Sequence, residues 1–180
     1  MIFIGIDPPQ GFAVVTDERR PRVLGCGILA KPEDAPSRAV GVASDAFGGT
    51  IVTGVEVVTR VHPVRRKGRD GSSTVHATYL YQTGRAAGII FAGMRLHGRV
   101  VEVTAEDWRK ALTGSPTAGY DAIERALRLR LERLPTRAEM GVTRKDDAVH
   151  VYDALGIAGW CAARERLPAA LRGGRKIGPT

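Results

Sequence analysis

The sequence predicts an α/β domain built on a mixed five-stranded sheet flanked by helices. Two observations lead there. Three short apolar runs open the chain with only turn-sized connections between them, as in an antiparallel meander. Beyond them, single strand-like runs alternate with helical stretches, so the whole order reads β-β-β-α-β-α-β-α-α-α. With 180 residues, 43% of them apolar, the chain is long enough to bury one core.

The first strand is "IFIGID", Ile2 to Asp7, an Ile-rich run that ends in an acid. "PPQ" breaks it. "GFAVVTD" is the second strand, "RRPR" a turn and "VLGCGILA" the third strand. "PEDAPSRAVGVASDAF" reads as helix after its prolines, and "TIVTGVEVV" as a β-branched fourth strand. "TRVHPVRRKGRDGSS" is a loop carrying five Lys/Arg and one His. Thr74 to His97 reads as a long helix interrupted by small residues, and "GRVVEVT" as the fifth strand. Thr104, three residues before Asp107, resembles a capping box that opens a helix through "EDWRKAL". After the loop "GSPTAG", the stretch "YDAIERALRLRLERL" is amphipathic, with Ile123, Leu127, Leu131 and Leu134 on one stripe. "PTRAEMGVT" is a connector, and Thr143 opens a last helix running to about Arg166. These elements form one domain over residues 1–166. Residues 167–180, basic and containing Gly and Pro, are expected to be a mobile tail.

A formal net charge of +8 favours an anionic partner, either nucleic acid or an acidic membrane surface. The two cysteines, Cys26 and Cys161, lack zinc-site spacing and read as reduced core thiols of a cytosolic protein. No apolar run approaches a membrane span, and "MIFIGID" lacks the basic start of a signal peptide. A cytoplasmic protein is therefore expected.

Acidic residues stand where a buried sheet would exclude them. Asp7 ends the first strand, Glu56 is flanked by valines in the fourth, and Asp153 lies within "VYDALGIA". A lone buried carboxylate is costly without a compensating cation. Singly, each has an ordinary reading. Asp7 can start a turn, Glu56 can mark a strand end, and Asp146 fits a capping box with Thr143. His150 can be a hydrogen-bonded structural histidine. Together they read differently. His150 and Asp153 are three residues apart, so they share a helix face, and Asp146 falls near it as a possible auxiliary residue. Asp147 is expected to point off that face. Helix-borne ligands beside two strand carboxylates give the converging oxygens that a hard divalent cation requires.

At these residues the sequence resembles the RuvC-like Holliday-junction resolvases of the RNase H-like superfamily. "GIDP" followed by "GFAVV" is similar to their first-strand aspartate and hairpin, "GVEVV" to their strand-borne glutamate, and "HVYDALGIA" to their final helix. "TGRAAGIIFAGMRLHGRVVEVTAEDWRKALTG" resembles their small-residue helix, fifth strand and basic segment. The resemblance implies an RNase H-like fold over nearly the whole chain. It also implies a catalytic and metal-binding set of Asp7, Glu56, His150 and Asp153, holding Mg2+ or Mn2+, two ions per site. His at position 150, where Asp is frequent, favours Mn2+ or serves proton transfer.

The activity implied is paired, symmetric nicking of four-way junction DNA in recombination and repair, leaving 5′-phosphate and 3′-hydroxyl ends. A homodimer would carry it out, with no membrane and no small-molecule substrate. Phosphates would be held by Arg60, Arg65, Arg66, Lys67 and Arg69 of the basic loop and by Arg109 and Lys110. The chain also departs from the pattern. "DPPQG" replaces "DPG", Tyr120 stands near a position where lysine is usual, and no aromatic wedge occurs between Val57 and Ser73, where His62 is the planar candidate. Two rival readings are an RNase H-like nuclease for flaps, Y-forks or RNA–DNA hybrid, and a non-catalytic basic DNA-binding protein of the same fold.

Overall fold

The computed structural model describes residues 1–8, 10–46, 49–58 and 77–168. Five strands form one sheet: β1 (Ile2–Asp7), β2 (Gly11–Thr16), β3 (Val23–Ile28), β4 (Ile51–Glu56) and β5 (Arg99–Val103). Their spatial order is β3-β2-β1-β4-β5. The meander β1–β2–β3 is antiparallel, while β4 joins β1 and β5 joins β4 in parallel. This is the mixed five-stranded sheet expected from the element order.

The helices are α1 (Gly41–Ala46), α2 (Ala77–Met94), α3 (Ala105–Thr113), α4 (Tyr120–Arg130), α5 (Arg137–Met140) and α6 (Lys145–Glu165), with a π-helical turn over Pro36–Val40 leading into α1. Several boundaries differ from the sequence reading. The amphipathic helix stops at Arg130, because Leu131 turns extended, yet Ile123, Leu127 and Leu131 are all buried. The expected connector holds α5, closed by a full Thr136–Glu139 capping box. Thr143 does not cap the last helix. Arg144 takes that position without a side-chain bond. Thr104 does cap α3, accepting the Asp107 N–H at 3.1 Å, and Gly114 ends that helix in the left-handed region.

Strand alternation divides β1 between two cores. Ile2, Ile4 and Ile6 face the side covered by α1 and α2, with Val14, Val55, Ile90 and Met94. Phe3 faces the other side, with Val15, Trp108, Ile123, Leu127 and the α6 residues Val151, Leu155 and Ile157. Period two therefore turns Gly5 and Asp7 toward α6, as it does Gly54 and Glu56 on β4. Gly5 and Gly54 are register partners across the parallel ladder. A Cβ on Gly5 would lie 1.9 Å from the Ala154 carbonyl oxygen, and one on Gly54 would lie 2.6 Å from Cys161 Sγ. These glycines let α6 lie directly on the sheet.

Both cysteines are free thiols, and burial pushes Cys161 up to about 12. No described helix is long and apolar enough to cross a membrane.

Gly5→Ala is expected to destabilise the fold by at least ~3 kcal/mol, because the added methyl meets backbone that has no rotamer to change. Urea unfolding measures this, and an unchanged midpoint would show that α6 does not depend on the gap at Gly5.

Candidate metal centre

Asp7 and Glu56 end adjacent parallel strands on the same sheet face, and Asp153 descends onto them from α6. One oxygen from each of Asp7, Glu56 and Asp153 falls within a set whose members all lie within 4.8 Å of one another. Asp7 and Asp153 are buried, at 7% and 5% exposure, and Glu56 is half-buried. His150 sits one turn earlier on α6, with Nδ1 2.7 Å from Asp7 Oδ2. It is not among the three converging groups. Its bond is to Asp7, so the structure places His150 beside the carboxylate cluster as the hydrogen-bond partner of one member.

Two further groups reach the cluster from α3. The Trp108 indole Nε1–H donates to Glu56 Oε2 at 2.8 Å. Arg109 Nη2 donates to Asp153 Oδ2 at 3.3 Å, and its guanidinium lies 5.1 Å from the Trp108 ring centroid. The family resemblance assigns Arg109 to DNA phosphate. Here it is half-buried against Asp153, while Lys110 next to it is exposed. Trp108 is fully buried, and the sequence reading gives it no role beyond helix. Its signal in the sequence is a tryptophan adjoining the basic pair, in the first helix after the strand that pairs with β4. Tyr120, at the start of α4, has its phenol pKa raised by burial and then by Asp153, with Asp7 adding less.

The electrostatics follow from crowding. Burial first, then the Asp7 charge, pushes Glu56 up to about 7 despite the Trp108 hydrogen bond. Asp153 is likewise raised to about 7 by burial and by Asp7, against Arg109. Asp7 is raised by burial, offset by its bond to His150. His150 is raised in turn, chiefly by that bond, and Asp147 contributes to the increase. Asp147, expected to point off the shared face, stands three residues before His150, which makes the two neighbours on α6, and it is half-buried.

These residues fit a divalent cation. Arg109 meets Asp153 and His150 meets Asp7, while among the described residues the buried Asp153 Oδ1 has no hydrogen-bond partner. An acceptor in that state is costly unless a cation completes it. The Asp146 side chain, Arg60, His62, Arg65, Arg66, Lys67 and Arg69, and the tail beyond residue 168 lie outside the described residues.

The same arrangement of strands and helices occurs in solved structures. The chain aligns with a Thermus thermophilus RuvC structure at TM-score 0.59 and 21% identity, over 92% of this chain and 96% of that one. It aligns with T. thermophilus RuvC in complex with Holliday junction substrate at TM-score 0.61 and 19% identity, over 92% and 95%. The chain has a RuvC-like fold. No protein-family model and no curated protein matches the sequence, so the RuvC likeness is one of architecture. It extends across nearly the full length of both chains.

The raised carboxyl pKa values carry a sign for stability. Glu56 and Asp153 titrate near 7 when folded, against roughly 4 in an unfolded chain. Between those values the native state binds more protons than the unfolded state, so stability falls as pH rises. His150, raised by its bond to Asp7, acts in the same direction. In chelator-treated protein, Tm is expected to fall between pH 5 and pH 8 by at least ~4 °C. Added Mg2+ or Mn2+ should restore it at pH 8. A Tm that rises across this interval without metal would show that the carboxylates are not held against their charge.

Proposed function

We propose that this protein is a metal-dependent endonuclease that resolves four-way DNA junctions by paired nicking. The observation that carries the reading is the convergence of Asp7, Glu56 and Asp153 within 4.8 Å, with a buried Asp153 oxygen that has no partner among the described residues. A non-catalytic DNA-binding protein gains nothing from carboxylates gathered where phosphate would approach. The RuvC-like fold supports the choice of substrate, since one structure of that fold is a complex with Holliday junction substrate.

Asp7, Glu56 and Asp153 would hold the ions, Mg2+ or Mn2+ and two per site. Bound there, such ions supply the Lewis acidity that lowers the pKa of water and stabilises the leaving oxygen. The chain's own residues do the rest. The strand ends fix Asp7 and Glu56 side by side, and α6 sets Asp153 opposite. His150, bonded to Asp7 through Nδ1, orients that carboxylate and can be a further ligand or exchange a proton through Nε2. Arg109 would exchange part of its contact with Asp153 for a scissile-phosphate oxygen; among the described residues its buried Nε has no hydrogen-bond partner. The expected products are 5′-phosphate and 3′-hydroxyl ends.

A four-way junction has near two-fold symmetry, so paired cuts call for a C2 dimer. The stripe Gly84, Gly88 and Ala92 on α2 is exposed, and Gly84 and Gly88 have open space where a Cβ would stand. Ala86, Ala87 and Gly93 are used internally, with Gly93 close against Pro36. The open stripe is the proposed dimer face.

A labelled synthetic junction tests the activity beside matched linear duplex, flap, Y-fork and RNA–DNA hybrid. Mg2+- or Mn2+-dependent, symmetric cuts confined to the junction are expected. Preference for a flap or hybrid would transfer the reading to another nuclease of this fold. Asp7→Asn, Glu56→Gln and Asp153→Asn should each lower the cleavage rate by 1,000-fold or more, on the order of 4 kcal/mol in the barrier, while junction binding persists. His150→Ala should lose most activity, and His150→Asp should recover part of it with Mg2+. Near wild-type cutting by any of these variants would remove that residue from the mechanism.

The basic loop supplies a separate expectation. Replacing Arg65, Arg66 and Lys67 together by Ala should weaken junction binding and flatten its log–log salt dependence by about 0.9 for each phosphate no longer neutralised. An unchanged slope would place the DNA interface elsewhere, with Arg172, Arg175 and Lys176 of the tail as the next candidates.

A further inference from the structure

The Trp108 indole is wedged between the two elements that bear opposing carboxylates. Its Nε1–H donates to Glu56 Oε2 at the end of β4, at 2.8 Å. Its ring lies against Gly156 of α6, where a Cβ would stand 2.5 Å from Cε3 and 2.6 Å from Cζ3. Gly156 is three residues beyond Asp153, on the same helix face. The ring is completely buried, so one orientation is enforced by packing and the N–H has a fixed direction. The helix that carries it is anchored at its start by the Thr104 cap.

We propose that Trp108 is a positioning residue for the metal centre, holding the Glu56 carboxylate in one orientation toward Asp7 and Asp153 through its indole N–H. This rests on the proposed metal-dependent reading of the site. The chemistry is specific to an indole. The group must be flat to fit over Gly156, apolar to be buried there, and still present one N–H at its edge. Phenylalanine supplies the first two properties but not the third. Without the donor, Glu56 is free to rotate, and the cation loses a preorganised ligand. Hydrogen bonds to ligating carboxylates typically contribute about 10–100-fold in metal affinity or activity.

The experiment uses the full-length protein and measures Mn2+ binding by calorimetry together with metal-free Tm. Trp108→Phe is expected to weaken Mn2+ binding about tenfold, while Trp160→Phe, at the other tryptophan, leaves it unchanged. Should Trp108→Phe fail to fold, the same measurement is made with 3-benzothienylalanine at position 108, which keeps the ring shape and replaces N–H by sulfur. A spectroscopic signature separates positioning from packing. In 15N-labelled wild type, the Trp108 indole N–H resonance should move on Mg2+ addition, and Glu56→Gln should abolish that response. Wild-type Mn2+ affinity in the benzothienyl protein, or an indole resonance indifferent to both Mg2+ and Glu56→Gln, overturns the inference. The two readings fail separately. If Glu56→Gln itself leaves Mn2+ binding unchanged, the metal centre is wrong. If Glu56→Gln weakens binding and loss of the indole N–H does not, the centre stands and only the role of Trp108 falls.

Discussion

The distance between α6 and the sheet governs the rest of the molecule. At Gly5, Gly11 and Gly54 a single methyl would strike α6, in two cases its backbone oxygens at 1.9 and 2.1 Å. Such close approach is possible only where three neighbouring strand positions lack a side chain. The helix is accordingly small where it meets Gly5, at Ala154 and Ala158, while Val151, Leu155 and Ile157 fill the core. It must also carry its polar residues near one end, past the strand termini. His150 and Asp153 occupy that end. Close packing thus builds the cluster: once α6 is seated, Asp153 cannot avoid Asp7 and Glu56.

That proximity is electrostatically unfavourable in the protein alone. Elsewhere in the chain a carboxylate is comfortable. Glu139 closes the α5 cap, accepts two hydrogen bonds from Arg133, and is held down at about 2. Glu56 and Asp153 are raised to about 7, despite a hydrogen bond each. The contrast separates a carboxylate placed for local structure from carboxylates held by packing against their own charge. Strain of the second kind persists when it serves something that the isolated chain does not contain. A divalent cation is the simplest partner that would relieve three acids together.

The sheet and the strand-borne half of the cluster are legible in the sequence because period two is a local property. Once "IFIGID" and "VTGVE" are strands, Asp7 and Glu56 must share a face with Gly5 and Gly54. The pairing of His150 with Asp153 is legible for a similar reason, since helical spacing sets it. What the sequence does not disclose is which atoms converge. His150 reads as a ligand by spacing, and here its Nδ1 lies 2.7 Å from Asp7 Oδ2. The family resemblance gives Arg109 a phosphate role, and here its side chain also meets Asp153. Both outcomes depend on residues more than 40 positions apart in sequence, which no local pattern encodes. The Thr136–Glu139 box is visible as a motif, yet a four-residue helix is too short to show periodicity.

The contribution of α3 shows how a local register becomes a site. In the parallel ladder Glu56 is paired with Val103, and the Val57 N–H bonds the Val103 carbonyl at 2.9 Å. The chain leaving β5 is thus alongside Glu56 when Thr104 caps the next helix. Four residues later Trp108 has completed one turn and faces back toward the strand it came from. Arg109, about 100° further round the helix, points toward α6 and Asp153. One dipeptide therefore donates to carboxylates on two different elements, and its placement follows from the strand register, the cap and the helical pitch. The bonds of Trp108 and Arg109 tie β4 and α6 together through α3, so the carboxylates are held by a closed loop of interactions and not by the strand ends alone.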